Sequence, residues 1–347
     1  MNKISVIGAG SWGTAVSCLL AKKGYEVILW GRSPDLINQM VEERRNPVYL
    51  QNLALPDNLE LTSDIEQAAL GGELIVLAIP SHAMRQILKQ FKSALKSNIY
   101  FISLTKGLEN HSSMTMSQVL QDELGVNSSK IAVLSGPNHA EEVARDVPSA
   151  TVIAATDSNL AKTLQNIFMA ASFRVYTNSD VLGVELGGAI KNVIAVAVGV
   201  SDGLGFGDNT KASLMTRGLA EMTRFGIEMG ANPFTFSGLS GIGDLIVTCT
   251  SRYSRNRFVG EKIGKGEKLK DIVSNMRMVA EGVLTSAALK EMSKNRKVEL
   301  PICEQVYAVL YENKDPYNCV SDLMKRGATN EVEELINFYE TRDKGLV

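Results

Sequence analysis

A doubly wound α/β domain followed by an all-α domain is the architecture this sequence predicts, and three observations predict it. The first half alternates short apolar runs with amphipathic stretches, the pattern of a parallel sheet wound with helices. A glycine-rich turn separates the first apolar run from the first amphipathic stretch. From Asp180 onward the periodicity is helical and convincing strands disappear.

Strands are expected at Ile4–Ile7, Glu26–Trp30, Leu74–Ile79, Tyr100–Leu104 and Ile131–Leu134, with Ala150–Ala155 and Arg174–Tyr176 extending the sheet. Helices between them include Thr14–Lys23, Pro34–Arg44 and His82–Phe91. Thr177, Asn178, Ser179 and Asp180 form a polar hinge, with Asp180 placed to cap a long helix. The domains therefore divide as 1–178 and 179–347. Glycine-rich turns at 203–207 and 238–243 break the helical half, and the polar tail after Tyr339 reads as frayed.

A chain of 347 residues suits two domains, each able to bury its own core. Charge excludes some functions. With 38 acidic and 36 basic side chains and a formal charge of −2, no broad basic field draws in nucleic acid or anionic lipid. An anionic small molecule must instead be captured by a few local cations. Cys18, Cys249, Cys303 and Cys319 are far apart, with neither metal-ligand nor redox spacing, so reduced, buried thiols are expected. No metal is implied. Met1 to Lys3 lead straight into an apolar strand without a signal peptide. The most apolar stretch, Val184 to Val200, carries Glu185 and Lys191 and is interrupted by glycines, unlike the roughly 20 apolar residues of a membrane span. A soluble, cytoplasmic protein is expected.

The strongest local motif is Gly8-Ala9-Gly10-Ser11-Trp12-Gly13. It follows a strand, opens a helix and lies within a strand–helix–strand unit, the context in which Gly-x-Gly-x-x-Gly binds a dinucleotide. Gly8 permits the turn, Gly10 lets backbone approach a pyrophosphate, and Gly13 lets the helix pack closely. The helix N-terminus offers its dipole to the phosphates. A purely structural turn is the bland alternative. At the end of the second strand, Leu29-Trp30-Gly31-Arg32-Ser33 has no carboxylate before Asp35, where NAD binders place one for the ribose 2′-hydroxyl. Arg32 suits a 2′-phosphate, which favours NADP(H) over NAD(H); a solvated surface arginine is the other reading. Beyond the third to fifth strands stand Ile79-Pro80-Ser81, Thr105-Lys106-Gly107 and Ser135-Gly136-Pro137-Asn138. Lys106 is their only cation, a phosphate or carbonyl ligand or else an ordinary loop lysine.

In the second domain Lys191 lies in a segment, Gly187 to Ala197, that is apolar on nearly every face. Burying an ammonium there is costly, so a structural reason is hard to find unless the amine snorkels to solvent. A desolvated lysine is suited to give a proton to a ketone oxygen during hydride reduction and to stabilise the developing alkoxide. Gly187 and Gly188, one turn back, are expected to leave room for a small molecule. Asp244 and Thr248 are four apart and share a face if helical, where Asp244 orients a cation, binds a hydroxyl or simply caps a helix. Ser254-Arg255-Asn256-Arg257 puts a serine cap, two arginines and an amide at a helix start, a receptor for phosphate.

Together these segments resemble the bacterial-type NAD(P)-dependent sn-glycerol-3-phosphate dehydrogenase family over nearly the whole chain. The resemblance rests on GAGSWGTA (8–15), LTKGLE (104–109), SGPNHAEEV (135–143), LGGAIKNVIAVAVGVSDGLGFGDNTKASLMTRGLAEM (186–222), GLSGIGDLIVTCTSRYSRNRFVG (238–260) and VAEGVLT (279–285). It implies a Rossmann-like nucleotide-binding domain followed by a helical catalytic domain. It implies reduction of dihydroxyacetone phosphate to sn-glycerol 3-phosphate for phospholipid synthesis, with Lys191 as proton acceptor of the reverse reaction. Lys106, Gly136, Asn138, Asp244, Ser254, Arg255 and Asn256 match the family's substrate contacts, and Asn192 and Thr248 fall on further positions used around the substrate. Ser11, Trp12, Arg32, Lys106, Ala140, Arg255, Val279 and Glu281 match its cofactor contacts, beside the glycines of the turn. At Asn138 the family usually has Ser or Thr; an amide still donates and accepts there. The expected partner is a phosphorylated three-carbon molecule, not nucleic acid or membrane, and homodimeric assembly is left open. Two rivals share the cofactor half: a two-domain reductase of hydroxy acids, and a non-catalytic NADP sensor.

Overall fold

Ten strands form among the residues described by the computed structural model, which are 1–332 except Ser97, His111, Arg277, Met278 and Thr329; the tail after Tyr339 lies outside them. The strands are β1 (Lys3–Ile7), β2 (Glu26–Trp30), β3 (Arg45–Asn46), β4 (Leu50–Ala54), β5 (Leu59–Thr62), β6 (Leu74–Leu77), β7 (Tyr100–Ser103), β8 (Ile131–Ser135), β9 (Ser149–Ala155) and β10 (Phe173–Asn178). Contacts divide the chain into two units. Met1–Lys106 and Met114–Val181 make the first; Gly107–Ser113 and the chain from Leu182 make the second.

In the first unit eight strands form one sheet in the order β10-β9-β8-β7-β6-β1-β2-β5. From β8 to β5 along that order every pairing is parallel. Their apolar residues alternate between two buried layers, Val27 and Leu29 in one, Ile28 and Trp30 in the other, as a sheet covered on both faces requires. The covering helices are α1 (Ser11–Lys22), α2 (Pro34–Glu43), α3 (Ile65–Gly71), α4 (Met84–Phe91), α5 (Met116–Leu124), α6 (Ala140–Val143) and α7 (Ser158–Phe168). Their starts are written locally. Ser33 accepts the Leu36 N–H, Asp157 accepts those of Asn159 and Leu160, and Thr115 with Gln118 closes a capping box. The strand order reverses direction between β1 and β6, the switch point where doubly wound sheets take their ligand.

Two features depart from the expectation. The sheet is not wholly parallel: β9 runs antiparallel to β8, and β10 follows β9 in parallel. Only the four-residue α6 lies between β8 and β9, too little helix to carry a crossover over the sheet, so the chain turns back beside its own strand. In addition, β5 and the small β3–β4 pair fill the stretch after α2, where no strand is expected from the sequence.

In the second unit the helix expected after Asp180 is α8 (Val181–Gly203). It is followed by α9 (Asp208–Glu228), α10 (Asp244–Thr250), α11 (Arg255–Gly264), α12 (Leu269–Ser274), α13 (Glu281–Arg296), α14 (Pro301–Tyr311) and α15 (Pro316–Met324). No strand follows β10 among the described residues. A helix apolar on every side must be buried on every side. Accordingly α8, long and apolar enough to cross a membrane, forms the centre of its own unit, with Leu186, Ile190, Val193 and Ile194 fully enclosed. Leu108, from the Gly107–Ser113 segment, belongs to the same core.

Glycines bring α8 and α11 into backbone contact. A Cβ at Gly199 would lie 2.0 Å from the Arg257 carbonyl oxygen, and one at Gly203 would lie 2.3 Å from that of Glu261. Reciprocally, Gly260 and Gly264 leave no room beside the Val196 and Val200 carbonyls. Two four-residue glycine repeats therefore fix how α11, and the Ser254–Asn256 segment at its start, sits on α8.

Candidate active site

In the first unit the glycine turn after β1 behaves as its residue types dictate. Gly8 has φ +123°, and a Cβ there would stand 2.5 Å from the Ala78 carbonyl oxygen. At Gly13 a Cβ would fall 1.8 Å from the carbonyl oxygen of Gly8, so this glycine lets α1 press onto the turn itself. Around Gly10, by contrast, a Cβ would meet nothing within 4 Å. The turn is thus packed on two sides and open on the third, at the amino end of α1. Open space at a helix dipole's positive end fits a dinucleotide pyrophosphate. Trp12, in the first turn of α1, has its indole N–H buried without a partner in the protein, a donor a bound group would satisfy. Ala140 opens α6 and packs with Ala15, Leu50 and Trp12 beside that turn. Arg32 is exposed one residue beyond Gly31, after β2.

Asn46 is a residue that sequence reasoning misses. It is fully buried, and its amide nitrogen donates to the Ala9 carbonyl and the Thr14 hydroxyl, both at 2.9 Å. Its amide oxygen accepts the N–H groups of Val48 and Tyr49. One side chain thereby staples the glycine turn to β3. An asparagine between Arg45 and Pro47 gives no local hint of this, since the turn it holds lies more than 30 residues away.

Three expected substrate residues meet beyond β7 and β8. Lys106 Nζ donates to the Gly136 carbonyl at 2.8 Å. Gly136 has φ +146°, and Thr151 stands 3.1 Å from where its Cβ would be, so only glycine fits comfortably. Asn138 donates from Nδ2 to the Ala150 carbonyl at 2.9 Å while its Oδ1 is buried without a protein partner.

In the second unit Lys191 does not snorkel. It is 5% exposed, and Nζ donates to Asp244 Oδ1 at 2.6 Å and to Thr248 Oγ1 at 2.7 Å. Asp244 and Thr248 are 1% and 4% exposed. One turn apart on α10, they aim at the same nitrogen, and the threonine hydroxyl lies 3.3 Å from the carboxylate. Asp244 is the first residue of α10, and its carboxylate pairs with the Lys191 ammonium. The pair leaves the ammonium desolvated but compensated, the condition under which a buried charge is tolerable.

The expectation for Gly187 is overturned. A Cβ there would lie 2.7 Å from the Ser240 carbonyl oxygen, so the glycine admits neighbouring backbone rather than a small molecule. Helical side chains lean toward the N-terminus, which suggested open space above that turn; the 238–243 segment occupies it instead.

At the start of α11, Ser254 caps the helix by accepting the Arg257 N–H at 3.2 Å. The two arginines then part. Arg257 Nε donates to Asp202 Oδ2 at 2.7 Å, and Lys211 reaches the same carboxylate at 2.9 Å. Arg257 is therefore committed within the fold, whereas Arg255 is exposed. Asn192 and Asn256 form an amide ladder. Asn192 donates to Gly188 O at 3.2 Å, Asn256 donates to Asn192 Oδ1 at 2.8 Å, and the Gly282 N–H donates to Asn256 Oδ1 at 2.9 Å. The ladder ties α8, α11 and the first turn of α13 together, next to Glu281 and close in sequence to the partly buried Val279. Both asparagines are buried, and no sequence pattern signals that they bond to each other. No cluster of three or more His, Cys, Asp or Glu suited to a metal occurs among the described residues.

Comparison with known proteins identifies the family. The profile of the NAD-dependent glycerol-3-phosphate dehydrogenase N-terminus matches residues 3–161, and that of its C-terminus matches 180–321. The chain is 50% identical over 335 residues to a glycerol-3-phosphate dehydrogenase [NAD(P)+] of Pelotomaculum thermopropionicum, covering 96% of each chain. It is 46% identical to the protein of the same name from Bacillus pumilus, over 99% of this chain and all of that one. The crystal structure of glycerol-3-phosphate dehydrogenase from Coxiella burnetii superposes with a TM-score of 0.90 at 37% identity, covering 94% of this chain and 99% of that chain. The chain belongs to the NAD-dependent glycerol-3-phosphate dehydrogenase family.

Proposed function

We propose that the chain catalyses the NAD(P)H-dependent, reversible reduction of dihydroxyacetone phosphate to sn-glycerol 3-phosphate, in the cytoplasm, as a source of glycerol phosphate for phospholipids. The observation that carries this reading is the buried Lys191 ammonium held by Asp244 and Thr248, in a chain whose full-length relatives bear that enzyme's name. When bound, the nicotinamide supplies or accepts the hydride.

The rest falls to the protein. Lys191 Nζ gives a proton to the ketone oxygen as that oxygen gains negative charge, and the resulting amine is recharged from water. Before transfer its positive charge stabilises the developing alkoxide, an effect magnified where water is excluded. Asp244 and Thr248 hold the nitrogen in place. In the oxidative direction the neutral amine accepts the proton of the alcohol. Arg255, at the capped start of α11, and Lys106 supply cations for the phosphate, with Asn138, Gly136, Ser254, Asn192 and Asn256 as polar support. The Gly8–Gly13 turn, Ser11, Trp12 and Ala140 hold the dinucleotide, together with Val279 and Glu281 and with contributions from Lys106 and Arg255. Arg32 favours NADP(H) over NAD(H).

Turnover of dihydroxyacetone phosphate against unphosphorylated dihydroxyacetone, measured with NADPH, tests the reading. Loss of a phosphate held by charge-assisted bonds should lower kcat/KM by about 10³-fold or more. Comparable values for the two ketones refute it.

A further inference from the structure

Beside the Lys191–Asp244 ion pair, backbone packs directly on backbone. Gly187 precedes Lys191 by one helical turn on α8, and the Ser240 carbonyl sits where its Cβ would be, with oxygen at 2.7 Å and carbon at 3.2 Å. Ser240 belongs to Leu239–Gly243, a kinked turn in which Gly241 leaves helical geometry at φ −94° and ψ −105°. A Cβ on Gly241 would lie 2.0 Å from the Phe236 carbonyl oxygen, so this kink also depends on glycine. Asp244 is the next residue after the turn and opens α10. This kinked turn therefore rests on α8 one turn from Lys191, and Asp244 follows it directly.

We propose that Gly187 and the kinked 239–243 turn form a positioning device that fixes the Lys191–Asp244 separation, making Gly187 a positioning residue for proton transfer. This rests on the reading of Lys191 as the proton-transferring group. Asp244 is the carboxylate in contact with Lys191. Cys249, on α10, is the other ionisable neighbour from that helix, and Asp202 on α8 and Arg257 on α11 act on the same thiol. Burial pushes the Cys249 thiol up to about 12, so it does not titrate in an ordinary assay range.

The test is the pH dependence of kcat for dihydroxyacetone phosphate reduction by full-length Gly187→Ala. The added methyl must move the Ser240 carbonyl and lengthen the Lys191–Asp244 contact. We expect kcat to fall about 10–100-fold, the effect of an ångström-scale misplacement, with KM for NADPH within about twofold. Loosening the carboxylate disfavours the ammonium, so the alkaline limb of kcat moves to lower pH by about one unit. Gly203→Ala is the control, because its Cβ would press on the Glu261 carbonyl at 2.3 Å on the same helix. It should lower the unfolding temperature without moving the limb.

A wild-type limb in Gly187→Ala, or an equal shift in Gly203→Ala, overturns the proposal. If Gly187→Ala does not accumulate folded, Ser240→Gly decides. It adds backbone freedom without bulk and should shift the limb in the same direction by less; an unmoved limb overturns the proposal. Lys191→Gln separates the two levels. Undiminished turnover in that variant refutes the assignment of Lys191 itself. An inactive Lys191→Gln beside an unmoved limb in Gly187→Ala refutes only the positioning role.

Discussion

Lys191 and Glu221 are both buried ionisable side chains of the second unit, and they are held in opposite ways. On α8, Lys191 is gripped by the carboxylate and hydroxyl of Asp244 and Thr248. On α9, Glu221 is 3% exposed and is gripped by backbone: Oε1 accepts the Ile302 N–H at 2.6 Å and Oε2 the Cys303 N–H at 3.2 Å. These N–H groups begin α14, whose own cap residue, Leu300, offers no side-chain oxygen. Glu221 thus stands in for a missing N-cap from a neighbouring helix. The difference separates chemistry from architecture. Side-chain partners keep a charge inside the fold at a place where it can trade a proton, whereas backbone partners use the carboxyl oxygens to close a helix end.

Replacing Lys191 sharpens that contrast most strongly. Lys191→Gln keeps N–H donors within reach of Asp244 and Thr248 but has no transferable proton. Its kcat should fall about 10²–10⁴-fold, the range for a lost general acid, while NADPH affinity measured by fluorescence titration stays near the wild-type value. Retention of wild-type kcat would erase the distinction between the two buried groups.

Glu221→Gln should do the reverse, leaving kcat within about twofold and changing how stability depends on pH. Burial raises the Glu221 carboxyl from its ordinary 4.5 to about 7, against the opposing pull of the two backbone N–H groups and the Cys303 thiol. Below pH 4.5 both folded and unfolded chains carry the proton, and the group's contribution to stability is fully present. Between 4.5 and 7 the unfolded chain ionises while the folded one resists, so that contribution is lost as pH rises through 7. The loss amounts to roughly 3 kcal/mol at most. A glutamine stays neutral throughout, so wild-type Tm should decline relative to the variant across this window. Parallel Tm curves would show that the N–H groups hold Glu221 ionised after all.

How much of the fold and site is legible in the sequence depends on the range of the interactions involved. The Gly8–Gly13 turn, the strand–helix alternation and the all-round apolar α8 are local patterns, legible because backbone geometry dictates them residue by residue. Lys191 stands out as a charge in apolar surroundings, and the four-residue spacing of Asp244 and Thr248 places them on one face before any partner is known. The antiparallel β9, the Asn46 staple and the Asn192–Asn256 ladder depend on residues tens of positions apart, which periodicity does not encode. Gly187 shows the limit most directly. Its lack of a side chain is evident, but what uses the space is decided by a distant turn. The four-residue glycine spacing on α8 and α11 is visible too, yet has meaning only once the two helices are known to be partners.

An exposed charge completes the comparison and gives the smallest expected effect. Arg32 stands beyond β2 between two anchored neighbours: the Gly31 N–H donates to Thr62 O at 3.0 Å, and Ser33 Oγ accepts the Leu36 N–H at 3.3 Å. Its backbone is fixed while its guanidinium is free to meet solvent or ligand. A charge-assisted bond at such a place is weakened by water and salt. Arg32→Ala should therefore raise the KM for NADPH only about tenfold at low ionic strength, within the range of a single charged hydrogen bond, and leave the KM for NADH within about twofold. At about 0.5 M salt the NADPH effect should shrink severalfold, whereas the Lys191→Gln defect, set inside the protein, should not. Equal changes for the two cofactors would remove Arg32 from 2′-phosphate recognition; a salt-insensitive effect would mean that its charge is sheltered when the cofactor is bound, and would move it from the exposed to the buried side of the comparison.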